Sequence, residues 1–129
     1  MILLVRRKFE AAHSLPNYDG LCRNLHGHSW KVDVAISGAV SAESGMVADF
    51  KAIKEAVDSV LPDHRHLNEV FAGITPTAEN LAGLFYGFIA SAISLLDPSL
   101  IVEKVVVWES ADCAAIYTRD DATYKNARS

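Results

Sequence analysis

Cysteine is scarce in this 129-residue sequence, which contains only Cys22 and Cys113. Two cysteines are too few for a disulfide framework, and free thiols are typical of a reducing cytosol. The sequence also lacks any apolar run that approaches the roughly 20 residues needed to span a bilayer. Its first residues place apolar side chains before charged ones, which is the reverse of a secretory signal peptide. We therefore expect a cytoplasmic protein that does not enter a membrane.

Positive charge is also in short supply, because 12 Lys and Arg residues face 16 Asp and Glu residues, for a net charge of −4. An acidic surface does not attract nucleic acid or an anionic membrane without a basic patch, and the longest basic run is Arg6-Arg7-Lys8. The composition, with 50% hydrophobic and 22% charged residues, is that of a globular domain. We expect one domain over residues 1–119 and a polar, frayed tail over residues 120–129.

Hydrophobic periodicity predicts an α+β protein with the element order ββααββ. Local strand pairs favour antiparallel pairing, with both helices on one face of the sheet. The predicted strands span residues 2–14, 26–37, 101–110 and 114–119, and the predicted helices span 50–61 and 78–96. The strand at 101–110 is apolar on both faces, so the face without helices needs a cover. Self-association is the simplest way to supply one.

Three histidines lie where the first predicted strand ends and the second begins. His26 and His28 are two residues apart on one strand, so they point the same way at a spacing of roughly 6.6–6.8 Å. His13 is near the end of the strand that would pair with theirs. Three neutral imidazoles leave one tetrahedral position open, which is typical of catalytic zinc. The alternative is that these histidines only pack or form hydrogen bonds.

Cys22 lies in a turn-rich loop shortly before His26. A thiolate beside a metal could act as a base or a nucleophile. It could instead be a fourth metal ligand, which would close the site and make it structural, or simply a small buried hydrophobic residue.

Further candidate residues lie at the ends of predicted elements. Asp63 and His64 are adjacent in the loop between the helices and could relay a proton, although a solvated loop is the alternative. Glu109 ends an apolar strand, where a buried carboxylate needs a partner, unless it is simply exposed. Thr77 is first of all a helix start, whose N–H groups could also contact a ligand. Glu109 and Thr77 are therefore our candidates for substrate binding, with these alternatives open.

Taken together, the ordered motifs resemble the 6-pyruvoyl-tetrahydropterin synthase family, and above all its bacterial branch of 6-carboxy-5,6,7,8-tetrahydropterin synthases in queuosine biosynthesis. The three residues between Cys22 and His26 are similar to those of that branch. The matching segments are FEAAH at 9–13, CRNLHGH at 22–28, GMVADF at 45–50, DHRHLN at 63–68, PTAENL at 76–81 and VWE at 107–109.

The resemblance implies a role for most of the candidate residues. It implies Zn²⁺ as the cofactor, Cys22 as the catalytic base, and Asp63 with His64 as the rest of the proton-transfer group. It also implies that Glu109 anchors the pterin. The implied zinc ligands are His13, His26 and His28.

The family fold implied is the tunnelling fold, in which a four-stranded antiparallel sheet carries two helices on one side. Its subunits form barrels with active sites between chains, so the resemblance implies a homohexamer built as a dimer of trimers. The implied reaction is that of a lyase, which converts 7,8-dihydroneopterin triphosphate to 6-carboxytetrahydropterin with release of acetaldehyde and triphosphate. Three alternatives stay open: a pyruvoyl synthase that keeps the side-chain carbons, a non-enzymatic zinc-binding module with Cys22 as fourth ligand, and a pterin carrier without turnover.

Overall fold

The computed structural model describes residues 1–128 as an α+β fold with a single five-stranded sheet in the order β3-β1-β2-β4-β5. The strands are β1 (Ile2–His13), β2 (His26–Ser37), β3 (Arg65–His66), β4 (Ile101–Trp108) and β5 (Ala114–Thr118). The helices are α1 (Phe50–Asp58), α2 (Leu67–Val70), α3 (Ala78–Leu96) and α4 (Arg119–Arg128).

The predicted four-stranded antiparallel sheet is wrong in its strand number and in the direction of one strand. β1, β2, β4 and β5 are antiparallel neighbours as expected, but the short β3 joins the outer edge of β1 in parallel. Two hydrogen bonds lead the chain there: the N–H of His64 donates to the carbonyl oxygen of Glu10 at 2.6 Å, and the N–H of Glu10 donates to the Asp63 carboxylate at 2.8 Å. A strand of two residues leaves no hydrophobic pattern, so the sequence does not reveal it.

The two long helices begin where the sequence predicts. The Asp49 carboxylate accepts a hydrogen bond from the N–H of Lys51 at the start of α1, and Thr77 caps α3. α1 ends at Asp58, earlier than the predicted residue 61, because the chain tightens into a turn in which the N–H of Val60 donates to the carbonyl of Val57. The predicted order ββααββ is also incomplete, because it lacks the short helix α2 and the terminal helix α4.

The predicted frayed tail forms helix α4 instead. The N–H of Thr118 donates to the Asp121 carboxylate at 2.9 Å, and the N–H of Asp121 donates to the Thr118 hydroxyl at 3.3 Å. This reciprocal cap satisfies N–H groups at the helix start that otherwise lack partners. The polar composition of the segment hides the helix because it carries no apolar stripe.

The core lies between α1, α3 and one face of the sheet. Odd-numbered residues of β1 and even-numbered residues of β2 supply the sheet side, as their alternation predicts. α3 is long and apolar enough to cross a membrane by length and composition alone. It buries Leu81, Phe85, Ile89 and Ile93 in the core, which identifies it as a core helix.

The opposite face of the sheet is less apolar than the sequence predicts. Arg6 donates two hydrogen bonds to the Asp33 carboxylate, at 2.6 and 2.9 Å, and the Trp108 indole N–H donates to the same carboxylate at 3.0 Å. Val106 is buried on this side of β4, whereas Ile116 on β5 is 57% exposed. The open face therefore combines this polar network with exposed apolar side chains, among them Leu4 and Ile116.

Candidate metal centre

The three predicted histidines converge at one end of the sheet. His13 and His26 are direct partners across β1 and β2, and their Nε2 atoms lie 3.0 Å apart. The ligand nitrogens of His13, His26 and His28 all lie within 4.8 Å of one another. Two nitrogens bound to one tetrahedral zinc at about 2.0–2.1 Å are separated by about 3.3–3.4 Å. The cluster thus has the donor set and the dimensions of a three-histidine metal site.

Backbone carbonyls fix the orientation of two of these rings. Nδ1 of His13 lies 2.8 Å from the Pro76 carbonyl oxygen, and Nδ1 of His26 lies 2.7 Å from the Asn24 carbonyl oxygen. A carbonyl accepts only, so each Nδ1 carries the proton and each Nε2 keeps its lone pair for a metal. The Nε2 of His28 is buried and has no hydrogen-bond partner within residues 1–128. Metal coordination would satisfy all three nitrogens.

Burial disfavours the protonated form of two of the three imidazoles. Trp30 is fully buried beneath the cluster, and its ring meets those of His13 and His28 edge-on at centroid distances of 5.1 and 5.3 Å. Burial lowers the pKa of His13 and of His28 below the ordinary histidine value. Neutral imidazole is the form that binds a metal, so these pKa shifts favour coordination at neutral pH.

Glu109 reaches the cluster from the end of β4. Its carboxylate Oε1 lies 3.7 Å from Nε2 of His28, and its own N–H donates to the carbonyl of Cys113 at 3.2 Å. This turn after β4 directs a carboxylate toward the histidines. Glu109 is therefore placed beside the metal cluster, where a ligand bound to the metal would meet it.

Cys22 lies in a single 3-10 turn over Leu21–Arg23 and is half-buried. Its carbonyl accepts a hydrogen bond from the N–H of Leu15 at 2.8 Å, which closes the loop between β1 and β2. The convergent ligand atoms of the described residues belong to three histidines, and the Cys22 thiol is not among them. This geometry does not support Cys22 as a fourth ligand.

Asp63 and His64 form a pair at the outer edge of β1. Oδ2 of Asp63 lies 3.1 Å from Nδ1 of His64, and the other carboxylate oxygen accepts the N–H of Glu10. That backbone hydrogen bond, with the His64 contact adding to it, lowers the pKa of Asp63. The backbone of His64 adopts the left-handed conformation, with φ at 57°. His64 and His28 line the same cavity, but no hydrogen bond among the described residues joins His64 to the metal cluster.

Thr77 has a structural task in this chain. Its hydroxyl accepts a hydrogen bond from the N–H of Asn80 at 3.1 Å, which caps α3. The preceding residue, Pro76, supplies the carbonyl that orients His13. Thr77 therefore lies next to the site along the chain, with its hydroxyl engaged by the helix.

Some residues that shape the site escape side-chain patterns. Pro76 and Asn24 act through their main-chain carbonyls, and a side-chain pattern does not reveal contacts of that kind. Asn68 accepts from the N–H of Ser14 and donates to its carbonyl, both at 2.9 Å, and so fixes the chain directly after His13. Asn68 belongs to the DHRHLN segment, which is the one signal that could have identified it.

Comparisons with known proteins agree with this geometry. The family model described as 6-pyruvoyl tetrahydropterin synthase matches residues 2–120. The chain is 36% identical over 91 residues to the 6-carboxy-5,6,7,8-tetrahydropterin synthase of a Synechocystis species, covering 65% of this chain and 70% of that protein. It is 35% identical over 82 residues to the dihydroneopterin monophosphate aldolase of Pyrococcus furiosus, covering 62% and 67%. The structure matches the 6-pyruvoyl tetrahydropterin synthase of Caenorhabditis elegans with a TM-score of 0.77 at 31% identity, covering 92% and 96%.

A sheet with helices on one face and a three-histidine cluster at its end thus define a pterin-synthase type of enzyme. The chain belongs to the 6-pyruvoyl tetrahydropterin synthase family, which confirms the resemblance of its motifs. Relatives in this family carry the names of three different reactions, so membership alone does not specify the reaction of this protein.

Proposed function

We propose that this protein is a zinc-dependent 6-carboxy-5,6,7,8-tetrahydropterin synthase of queuosine biosynthesis. In this proposal it is a lyase that converts 7,8-dihydroneopterin triphosphate to 6-carboxytetrahydropterin, with release of acetaldehyde and triphosphate. The observation that carries the proposal is the cluster of three histidines, two of which have a lowered pKa, with a carboxylate, Glu109, beside it. The similarity to the Synechocystis protein of that name supports the carboxy branch.

His13, His26 and His28 would hold the metal through Nε2, since the Nδ1 atoms of the first two are engaged by carbonyls. Bound zinc supplies a Lewis acid that acidifies a hydroxyl and stabilises negative charge on oxygen. The chain contributes the dry surroundings in which that effect is strong, because Trp30 and the core close the site from below. A metal held by these three histidines would bind a hydroxyl of the pterin side chain.

Cys22 would act as the base that removes a proton from a side-chain carbon. Its half-buried position in the loop before β2, outside the histidine cluster, fits a group that handles protons rather than one that binds the metal. His64 would pass the second proton through its imidazole. Asp63, whose lowered pKa keeps it ionised at neutral pH, would hold the His64 ring in position.

Glu109 would recognise the pterin ring. A carboxylate accepts two parallel N–H bonds from a guanidine-like edge, which is a strong and directional match. We also retain Thr77 as a proposed substrate-binding residue, acting through N–H groups at the start of α3. Its capping role limits what its hydroxyl itself can donate.

We further propose that the protein is cytoplasmic and assembles as a homohexamer, a dimer of trimers with active sites between subunits. The free cysteines support the first point. The proposed assembly is supported by the sheet order, which leaves both sheet edges largely open within the described chain. β3 pairs only with Ala11 and Ala12 of β1, and no further strand of the described residues pairs with the outer edge of β5. Unpaired strand edges are the natural place for another subunit to add its strands.

The decisive experiment is product analysis with purified, zinc-loaded protein and dihydroneopterin triphosphate. Acetaldehyde and 6-carboxytetrahydropterin are the expected products. A pyruvoyl product that keeps all side-chain carbons would replace this proposal with the reaction named for the Caenorhabditis elegans protein. Zinc binding and pterin binding without any turnover would point to a non-enzymatic module or carrier.

A further inference from the structure

A cavity of the described chain lies beside the metal cluster, and the roles above account for its lining residues His28 and His64 but not for Arg65 and His66. It has a volume of about 420 Å³, and its lining combines the ends of β1 and β2 with the loop that follows α1. The loop side consists of the consecutive residues His64, Arg65 and His66. His28 belongs to both this lining and the metal cluster, so the cavity adjoins the candidate metal site.

Carboxylates around the cavity already have partners. Glu10 accepts a hydrogen bond from the Ser29 hydroxyl at 2.8 Å, which holds it against the strands. Asp63 is engaged by His64, and Glu69 lies 3.3 Å from Nδ1 of His66. Among residues 1–128, the Arg65 side chain has neither an ion pair nor a hydrogen bond, although it contributes to the lining. The cavity therefore offers a guanidinium without a partner among the described side chains, in a lining that also contains the Glu10 carboxylate.

A second observation also points to a ligand. The Nε2 atom of His66 is buried and has no hydrogen-bond partner within the described chain. Buried polar atoms are rarely left unpaired, because the loss of hydration costs about 1–3 kcal/mol. A polar ligand in the cavity would supply the missing partner.

We propose that this cavity binds the phosphate chain of the pterin substrate, with Arg65 as the main phosphate ligand and His66 as a second contact. The inference rests on the proposed function, since it assigns one part of that substrate. The guanidinium fork matches phosphate oxygens bidentately, and it keeps its charge at every physiological pH. Phosphate number distinguishes substrates in this family, since one relative is named for a monophosphate. Arg65 would thus determine how strongly a triphosphate is preferred.

Gly27 gives an independent way to test the cavity. It lies between the two strand histidines and contributes to the lining, and a Cβ placed on it would meet only the Ala11 carbonyl oxygen, at 3.9 Å. A Cβ at this position makes an ordinary van der Waals contact and no clash. Gly27→Val should therefore obstruct phosphate binding while the metal cluster keeps its zinc.

The experiment combines calorimetric titration of inorganic triphosphate into zinc-loaded protein with steady-state kinetics on dihydroneopterin triphosphate. Arg65→Ala should weaken triphosphate binding roughly ten- to a hundredfold, the range for a lost charged hydrogen bond, and should raise KM similarly. Arg65→Lys should recover part of the loss, and Lys54→Ala on the exposed surface of α1 should bind as the wild type does. Zinc content and thermal unfolding check that each variant is folded.

The outcomes separate this inference from the proposed function. If the wild type turns over the substrate and Arg65→Ala has the same KM, the phosphate site is wrong and the proposed function still holds. Triphosphate binding that depends on Arg65, in a protein that releases no acetaldehyde, would support the site and reject the reaction. Equal binding of triphosphate by wild type, Arg65→Ala and Gly27→Val, or no binding by any of them, would overturn the inference.

Discussion

Nδ1 of His13 lies 2.8 Å from the carbonyl oxygen of Pro76, so the last residue of β1 is tied to the chain segment that starts α3. This contact determines which nitrogen of a fully buried histidine stays available. It also joins the metal cluster to the segment before the longest helix through a main-chain carbonyl. The three candidate metal ligands thus belong to β1 and β2, and the carbonyls of Pro76 and Asn24 orient two of them.

We expect one zinc per chain. Changing His26 or His28 to Ala should remove the metal and the activity together, because two imidazoles hold zinc far more weakly than three. Metal analysis and product formation on the same samples provide the measurement, with His64→Ala as a control that keeps its zinc. Full zinc occupancy in both cluster variants would show that the ligands are wrongly assigned.

Cys22→Ala should keep its zinc and its fold while turnover falls by roughly two to four orders of magnitude, the usual range for loss of a positioned base. Cys113→Ala is the matched control, since Cys113 is exposed and lies outside the metal cluster. Paired measurements of bound zinc and product decide the result. Lost zinc would make Cys22 a ligand, and unchanged turnover would leave it without a catalytic role.

Asp33 should stabilise the fold in a pH-dependent way. Its hydrogen bonds from Arg6, together with that from Trp108, lower the pKa of the carboxyl group. A depressed pKa contributes stability above the unfolded value of about 3.9, and this contribution is lost as the pH falls through the folded value. Asp33→Ala should cost roughly 1–3 kcal/mol at pH 7 in urea unfolding, and the difference from wild type should shrink under acid.

The pair formed by Arg7 and Asp58 is a natural control for that experiment. Its geometry is also bidentate, at 2.8 and 2.7 Å, but the Asp58 side chain is 45% exposed. Exposed pairs contribute about 0–1 kcal/mol, so Asp58→Ala should have the smaller effect. Equal losses in the two variants would contradict the role of burial in the Asp33 network.

Thr77→Ala should destabilise the protein by about 0.5–2 kcal/mol through loss of the α3 cap. Asp49→Ala removes the corresponding cap of α1, which lies away from the metal cluster, and should have a similar effect on stability. Thermal unfolding and KM are measured on both variants. If KM rises only in Thr77→Ala, the residue also serves substrate binding, and an equal KM in both limits it to capping.

The protein should be an oligomer at micromolar concentration. The backbone groups of Glu10 point to the outer edge of β1, and alternation along a strand sends those of Leu4 the same way. Light scattering should therefore find a hexamer for the wild type. Leu4→Pro, which lacks an outer-edge N–H, should give smaller species. A monomeric wild type would contradict the proposed assembly.

The sequence was sufficient for the regular parts of this structure. The alternation in β1 and β2 predicted which face is buried and brought the three histidines together, and the capping residues Asp49 and Thr77 located both long helices. These features depend on side-chain periodicity and local hydrogen bonds, which a sequence displays directly.

What the sequence could not provide depends on long-range or main-chain contacts. The sequence does not show that Arg6 and Trp108 bind the same Asp33 carboxylate, because these residues lie on three different strands. The carbonyls that orient His13 and His26 belong to residues whose side chains do not take part. The parallel strand β3 forms only when the loop after α1 reaches the edge of β1, some fifty residues earlier in the chain.

The attachment of His64 through the backbone of Glu10 has a consequence for how this protein tolerates mutation. Both hydrogen bonds use main-chain atoms of position 10, so exchanging its side chain leaves the anchor in place. A proline there would lack the N–H that the Asp63 carboxylate accepts. The anchor therefore tolerates every side chain at position 10 except that of proline, whereas the hydrogen bond from Ser29 depends on the Glu10 carboxylate. A substitution scan scored by thermal unfolding should show Glu10→Pro as the most damaging change.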